Sequence, residues 1–429
     1  MGSFLSGALK SGGARAVTLP VTAISSLVSS TVIISSAGVT GYAAISVVST
    51  LFLLIQFSDL GLGSAVINEV ASSSATDVSK ASVIATAVRI LCIVSVILLA
   101  IAYAGTSIFS WSDVLGVRDS SLTNLDDATL VSVAIFAIAL PLGLSQRVLV
   151  GLGKNHIAVY LSLATSISSV VIVFLISISH FPLAYMATAQ SAGLLITNLL
   201  STVVVRRSIF FKLSMVWQRS RFSTSGVLGA GLWMLLLTIT LALSFQIGRI
   251  MLAHRSTQLN VAYFSLAMQF YLPAVSIVSA AGFSLWPMFA RDRSVGSAAV
   301  GSFTRILLAF AGLGFFLAAC FAILARPVGR LVSGGEISLP ASLIVFCALA
   351  IFLQAIQIVP GMMLTFPNGL RFQACCGVLC AAVSITLSYF LAPIVGSSAP
   401  MIATCWAIFL TQIVPCLTKS YVLLRNPSL

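Results

Sequence analysis

Two charged residues, Asp59 and Arg89, lie well inside long apolar stretches of this sequence. At about 1.5 Å per helical residue, each side chain would lie roughly 12–15 Å from the nearer end of its helix. A charge at that depth is costly, so it indicates either a ligand-binding cavity or a structural ion pair. Two interpretations therefore stay open for Asp59 and Arg89: they pair with each other, or they face a cavity.

Three further arginines and one glutamine could also contact a ligand. Arg147 and Arg305 lie near helix ends, where an arginine either binds substrate or extends to lipid headgroups. Arg249 lies near the opposite membrane face, where it would hold a phosphate or an acidic sugar, or act as an interfacial anchor. Gln269 is one of several amides in apolar stretches, and such residues line a sugar-accepting cavity or join helices.

Motifs of familiar catalytic sites are absent from the sequence, since no HExxH, P-loop or GxSxG pattern occurs. We therefore expect no enzyme activity and no ATP-driven transport by this chain alone. The 8 cysteines lie in apolar segments without zinc-ligand spacing, which predicts small buried side chains, with no metal or other cofactor. A polar segment, 105–127, carries Asp126 and Asp127, the acids that a membrane glycosyltransferase or polymerase would use.

The composition requires a membrane protein. Of the 429 residues, 59% are hydrophobic and 7% are charged, against roughly a quarter charged in soluble domains. The net charge of +13 would suggest a nucleic-acid partner in a soluble protein. Here the cations lie between apolar runs, so they determine membrane topology and nucleic acid is excluded as a partner.

The lengths of the charge-free runs predict an all-α polytopic membrane protein with twelve transmembrane helices, since about 20 residues cross a bilayer. A pair of glycines at Gly38 and Gly41 divides the first run into two helices, and Pro393 to Pro400 divide the last one. The predicted helices cover residues 17–37, 42–67, 81–104, 128–150, 157–179, 182–205, 226–253, 260–290, 301–324, 340–364, 371–392 and 399–424.

The distribution of Lys and Arg predicts the orientation. With twelve helices, 17 of the 22 cations lie on the side that holds both termini and five lie on the other side. By the positive-inside rule both termini are cytoplasmic. The longest inner connection, 206–225, is basic and separates an N-terminal lobe of helices 1–6, residues 1–205, from a C-terminal lobe of helices 7–12, residues 226–429.

Three segments of the sequence resemble one family. The first is Phe57 to Ala65 (FSDLGLGSA), the second is Pro141 to Tyr160 (PLGLSQRVLVGLGKNHIAVY), and the third joins Ser244 to Arg249 (SFQIGR) with Val261 to Ala267 (VAYFSLA). They are similar to segments of the polysaccharide-export and O-antigen flippase family. That family belongs to the multidrug, oligosaccharidyl-lipid and polysaccharide exporter superfamily. Its members commonly carry an acid where this chain has Gly248, so the resemblance does not extend to an ion pair or a cation-coupling role at that position.

The resemblance implies two pseudo-symmetric six-helix lobes around a central cavity that opens alternately to each side. The implied cargo is a polyprenyl-diphosphate-linked oligosaccharide, flipped from the cytoplasmic to the outer leaflet of the bacterial inner membrane. A polysaccharide polymerase and other assembly proteins are the implied partners, besides the lipid bilayer. Arginines suit the diphosphate, and the implied order is Arg89 first, then Arg249 and Arg147.

Two other functions remain open. A cation-coupled multidrug antiporter of the same superfamily would need a buried acid, and Asp59 is the candidate. A membrane glycosyltransferase or polymerase would use the segment 105–127 with Asp126 and Asp127. The sequence favours the flippase.

Overall fold

The computed structural model describes residues 2–55, 62–71, 77–117, 122–208, 247–283, 297–365 and 367–425, together with positions 240, 285 and 289. Within these residues the chain is helical almost throughout and has no β-strand. The predicted all-α class is therefore confirmed. The predicted linker 206–225 beyond Ser208, and most of the predicted helix 226–253, lie outside the described residues.

The chain divides into two compact units, Met1–Leu235 and Leu236–Leu429. The described helices of the first unit are α1 (Gly2–Ile55), α2 (Leu62–Ala71), α3 (Asp77–Thr106), α4 (Trp111–Val114), α5 (Leu125–Leu142), α6 (Leu144–Gly151), α7 (Asn155–Ile178) and α8 (Ala189–Ser208). A short 3-10 helix, Leu183–Thr188, leads into α8.

The second unit is also built from helices. Its described helices are α9 (247–255), α10 (Gln258–Phe283), α11 (Ser297–Val332), α12 (Ala341–Met363), α13 (Pro367–Val395), α14 (Ala399–Ala407) and α15 (Val414–Arg425). A 3-10 turn, Gly396–Ser398, joins α13 to α14, and a π-helical segment, Ile408–Ile413, joins α14 to α15.

Nine helical stretches among the described residues are long and apolar enough to cross a bilayer. One of them, Val17–Thr50, has 34 residues, or about 51 Å of straight helix against a hydrocarbon core of about 30 Å. It is interrupted at Gly38, whose φ of 71° is in the left-handed region that glycine tolerates. Another, Asn368–Arg425, is interrupted by the 3-10 turn Gly396–Ser398. The predicted total of twelve helices is consistent with this arrangement.

Helix boundaries agree with the prediction within a few residues for α7 and α12. Helix α1 begins at Gly2, although we expect a start at 17. Helix α11 continues to Val332, although we expect an end at 324. The prediction ends the helix before the charged Arg326, but a helix that reaches the membrane surface can continue through charges that extend into water. The predicted single helix 128–150 is divided at Gly143 into α5 and α6.

The outer faces of the helices carry large apolar side chains. On α11, Leu308, Phe315 and Ile323 are 65%, 69% and 72% exposed, which suits contact with lipid chains. The prediction that all cysteines are buried is wrong for Cys92 and Cys375, which are exposed. A thiol is apolar enough to face lipid, so hydrophobicity alone does not determine on which side of a membrane helix it lies.

Helices α7 and α8 pack closely along a line of small and polar residues. The hydroxyls of Thr165 and Thr197 form a 2.7 Å hydrogen bond, and Ser169 Oγ donates to the Ala189 carbonyl at 3.1 Å. Gly193 makes this approach possible, because a Cβ at that position would lie 2.6 Å from the Thr165 carbonyl oxygen. Small residues and interhelical hydrogen bonds of this kind are the usual basis of helix association in membranes.

Candidate functional site

The first unit contains an open cavity of about 180 Å³. Three polar side chains line it beside mostly apolar ones: Gln146, Arg147 and Asn198. Its lining runs along α5 and α6 from Phe136 to Arg147, which is about 16 Å of helix. The remaining lining residues are Gly63, Leu91, Ala139, Leu140, Gly143, Leu144 and Leu194.

The local sequence shapes this cavity through a proline and a glycine. Pro141 has no N–H, so it cannot donate to the carbonyl four residues earlier in α5, and a proline there bends a helix. Gly143 then separates α5 from α6. A Cβ on Gly143 would lie 3.2 Å from both Asn198 Nδ2 and the Leu140 carbonyl oxygen, so the glycine lets α8 approach the bend.

Asn198 is the centre of the polar network at this bend, and it is 3% exposed. Its Nδ2 donates to the Ala139 carbonyl oxygen at 2.8 Å, and its Oδ1 accepts from Gln146 Nε2 at 2.7 Å. The Asn198 carbonyl accepts from Ser145 Oγ at 3.3 Å and from Thr202 Oγ1 at 2.7 Å. The network joins α5, α6 and α8 and fixes the position of the Gln146 side chain.

Among the described lining residues of the cavity, Arg147 is the charged one, and its side chain is exposed. A guanidinium presents five N–H donors in a planar fork and stays protonated. Beside apolar neighbours, where competing water is reduced, such a group suits an oxyanion such as a phosphate.

Arg89, the first-ranked arginine of the sequence prediction, is half-buried on α3 and is not among the lining residues of this cavity. The lining residue on α3 is Leu91. Two positions along a helix correspond to a rotation of about 200°. The α-carbon of Arg89 therefore lies on the other side of α3 from the lining residue Leu91. Asp59 lies outside the described residues, so a pair with Arg89 stays a prediction.

The other predicted site residues lie in the second unit. Arg249 on α9 is 7% exposed, and Gln269 on α10 is half-buried. Arg305 near the start of α11 is exposed. The guanidinium of Arg255 stacks on the ring of Tyr389, with Cζ 4.5 Å from the ring centroid, which is a cation–π contact of ordinary distance. This contact gives Arg255 a structural role.

Two amides in apolar helices, Gln373 and Asn198, have different roles. Gln373 Nε2 donates to the carbonyls of Gly361 and Leu364, both at 3.0 Å, so it closes the C-terminal end of α12. Asn198 instead supports a cavity. Sequence alone did not identify Gln146, although it lies next to Arg147 within the quoted segment PLGLSQR. The signal that could have found it is an amide one position from a charge at a Pro-Gly bend.

The acid Asp126 has a structural role in the segment 105–127. Asp126 Oδ1 accepts from the backbone N–H of Ser112 at 2.7 Å, and its Oδ2 accepts from Ser110 Oγ at 2.8 Å. The carboxylate thereby satisfies a free N–H at the start of α4, as an N-cap residue does. Asp127 is exposed. The Asp126 carboxylate is hydrogen-bonded within the protein and the Asp127 side chain is exposed, so the two acids do not share one site as a catalytic pair would.

The profile of the family described as "Polysaccharide biosynthesis protein" matches residues 16–292. The chain belongs to this family of polysaccharide biosynthesis proteins. The match includes the whole cavity with Gln146, Arg147 and Asn198. No curated protein matches the sequence.

Solved structures extend the similarity of this polysaccharide biosynthesis protein to nearly its full length. An inward-facing multidrug resistance MATE family transporter of the MOP superfamily aligns with a TM-score of 0.74 at 14% identity, covering 93% of this chain and 94% of that one. The lipid II flippase MurJ in an inward closed conformation aligns with a TM-score of 0.71 at 13% identity, covering 95% and 86%.

A third structure is a MOP superfamily transporter from Pyrococcus furiosus, whose description states that a reversed polarity of its binding pocket suggests a different function. It aligns with a TM-score of 0.66 at 14% identity, covering 97% of this chain and 95% of that one. At these identities the comparisons establish the fold. The chain is a multi-pass membrane protein with the fold of the MOP superfamily transporters.

Proposed function

We propose that this protein flips a polyprenyl-diphosphate-linked oligosaccharide, such as an O-antigen, capsule or exopolysaccharide repeat unit, from the cytoplasmic to the outer leaflet by alternating access. The single observation that supports this function most is the exposed Arg147 in a largely apolar cavity, beside the amide of Gln146. A diphosphate cannot cross the hydrocarbon core unassisted, because moving an unpaired charge out of water is very costly. An arginine in a membrane cavity offsets that cost.

The family and the fold support the same proposal. The chain belongs to a polysaccharide biosynthesis family, and one structure of similar fold is a lipid II flippase. In this proposal the protein moves its cargo without changing it chemically, so it is not an enzyme. It lies in the bacterial inner membrane with both termini in the cytoplasm, where a polymerase and other assembly proteins use its product.

Each part of the cargo requires a different environment. Arg147 would bind the diphosphate, and the apolar residues along α5 and α6 would exclude water around that ion pair. The cavity is open, so the glycan would extend beyond it and the lipid tail would stay in the bilayer. Arg89, Arg249, Arg305 and Gln269 remain proposed contacts of the same cargo outside this cavity. Asp59, which lies outside the described residues, remains a proposed contact as well.

A cation-coupled multidrug antiporter is the second candidate, because a MATE transporter shares the fold with a TM-score of 0.74. Antiport would need a solvent-accessible acid in a membrane cavity, and the cavity of the first unit instead carries a cation among its lining residues. The polarity of this lining favours an anionic cargo. The variant Asp59→Asn would abolish transport in the antiporter and matter less in the flippase.

Deletion of the protein is expected to cause a complete lipid-linked glycan to accumulate in the cytoplasmic leaflet. The glycan would be extracted and identified by mass spectrometry, and an impermeant sugar-oxidising reagent would assign its leaflet. Protection of the glycan in sealed cells, with exposure after lysis, supports flipping. Absence of any accumulated intermediate, or a shortened glycan that the reagent reaches from outside, would contradict the proposal and favour the antiporter or the polymerase.

Substitution of Asp126 by alanine is expected to leave glycan export intact while lowering the free energy of unfolding by about 1 kcal/mol, as for the loss of a helix cap. Export would be measured as surface glycan, and stability as the thermal unfolding midpoint of purified protein in detergent. Asp127→Ala is the matched control and should change neither quantity. If Asp126→Ala abolished the surface product at normal protein abundance, a catalytic role of the outer segment would have to replace the flippase proposal.

A further inference from the structure

The orientation of one amide in the cavity follows from a chain of hydrogen bonds that begins at a backbone carbonyl. The Ala139 carbonyl can only accept, so the group that faces it at 2.8 Å must be the Nδ2 of Asn198. The Oδ1 of Asn198 therefore points the other way, toward Gln146. Because that oxygen also can only accept, Gln146 must present its Nε2 to it, at 2.7 Å.

This relay determines what Gln146 offers to a ligand. One N–H of Nε2 goes to Asn198, so the amide keeps its second N–H and Oε1, and Oε1 is its acceptor. Among the residues that the structure describes, no group donates to Gln146 Oε1, and this oxygen is not one of the buried atoms without a partner. The oxygen is thus accessible on a side chain that lines the cavity.

The cavity therefore presents two adjacent and opposite functions. Arg147 offers only donors, and its sequence neighbour Gln146 offers an acceptor, with α-carbons about 3.8 Å apart. A bare phosphate or diphosphate can accept from Arg147 and from the second N–H of Gln146, but it has no donor for Gln146 Oε1. A sugar joined to the phosphate supplies one, because the hydroxyl or acetamido N–H on the carbon next to the anomeric carbon is the donor nearest to the phosphate.

We propose that Gln146 reads the first sugar of the cargo, by accepting a hydrogen bond from the donor next to its anomeric carbon while Arg147 binds the adjoining phosphate. This inference rests on the proposed function and adds to it a residue that distinguishes a glycosylated carrier from the bare carrier. Asn198 is the positioning residue, since it determines which atom of the Gln146 amide faces the ligand. The discrimination prevents the cavity from being occupied by carrier lipid without sugar.

Binding of two defined probes to the full-length protein in nanodiscs tests the inference. The probes are farnesyl diphosphate, which has no sugar, and farnesyl diphosphate-linked glucose. The wild-type protein is expected to bind the glucosylated probe about tenfold more tightly, which is the effect of about 1.4 kcal/mol. Gln146→Met, which keeps side-chain length but removes the acceptor, should remove that tenfold preference.

The variant Arg147→Met separates the inference from the proposed function. It should weaken the binding of both probes, because both carry the diphosphate. Unchanged binding of both probes in Arg147→Met would overturn the proposed function, whatever Gln146 does. A different result would overturn only the recognition of the sugar by Gln146. In that result Arg147→Met weakens the binding of both probes, while Gln146→Met changes the Kd of the two probes equally.

A third probe keeps the test valid if Gln146→Met fails to fold. Farnesyl diphosphate-linked 2-deoxyglucose lacks the hydroxyl next to the anomeric carbon, and it needs no variant. Wild-type protein should bind it as weakly as farnesyl diphosphate. If it binds as tightly as the glucose compound, the donor that Gln146 is proposed to read has no role and the inference is wrong.

Discussion

Replacement of Arg147 by methionine is expected to reduce flipping about thirtyfold without reducing the amount of protein in the membrane. Methionine keeps much of the apolar stem of the arginine and removes the fork of donors. A hydrogen bond to a charged group contributes about 1.5–3 kcal/mol, and a loss of about 2 kcal/mol corresponds to about thirtyfold in affinity. Flipping would be measured in proteoliposomes with a fluorescent lipid-linked sugar and an impermeant quencher, and abundance by immunoblot.

Two further arginine variants show whether position or charge alone matters. Arg147→Lys keeps the charge but not the planar fork, so it should recover part of the activity. Arg89→Met removes a charge from the opposite side of α3, and it should reduce flipping less than Arg147→Met. A larger loss in Arg89→Met, at equal abundance, would contradict the importance given to the cavity and restore the order that the sequence predicts.

Sequence could predict most of the fold because membrane helices follow from run length and charge alone. The break at Gly38 was predictable, since glycines in the middle of a run too long for one helix leave few alternatives. The bend at Gly143 was not, because a single predicted span from 128 to 150 has an acceptable length. Pro141 indicates a bend in α5, but only the approach of Asn198 explains why the next glycine is needed.

The site was less predictable than the fold, for a physical reason. Depth along a helix can be counted from sequence, and it identified Arg89 as an intramembrane charge. The direction in which a side chain points depends on which neighbours pack around the helix, and this places Leu91 and not Arg89 on the cavity. In the same way, composition could not distinguish Asn198, which supports a cavity, from Gln373, which closes a helix end.

The supporting network has a consequence for how the cavity would work. Gln146 and Arg147 lie on α6, whereas the residue that orients Gln146 lies on α8. Any movement that separates α6 from α8 would break the 2.7 Å bond and free the amide to rotate. The acceptor would then no longer be held beside the arginine, so the cavity is specific for its ligand only while these helices stay in contact. Packing of α8 is therefore a requirement of the proposed recognition.

A leucine in place of Gly193 is expected to give the largest loss of stability among the variants considered. Its Cβ would lie 2.6 Å from the Thr165 carbonyl oxygen and 2.9 Å from Ser169 Oγ, and backbone atoms of α7 cannot move away cheaply. Overpacking costs about 1–3 kcal/mol, and each interhelical hydrogen bond lost adds about 0.6 kcal/mol. We therefore expect the free energy of unfolding to fall by about 2–4 kcal/mol. The measurements are the thermal unfolding midpoint in detergent and abundance in membranes.

Gly312→Leu on α11 is the matched control, because no heavy atom lies within 4 Å of the Cβ that it would add. It introduces the same side chain into a helix of the same protein, so it should leave the unfolding midpoint nearly unchanged. Gly193 is also five residues before Asn198, so a displaced α8 would release Gln146 as well. A Gly193→Leu protein that remains stable should therefore still lose its preference for the glucosylated probe. Wild-type stability together with wild-type preference would refute the role of this helix contact in holding the site.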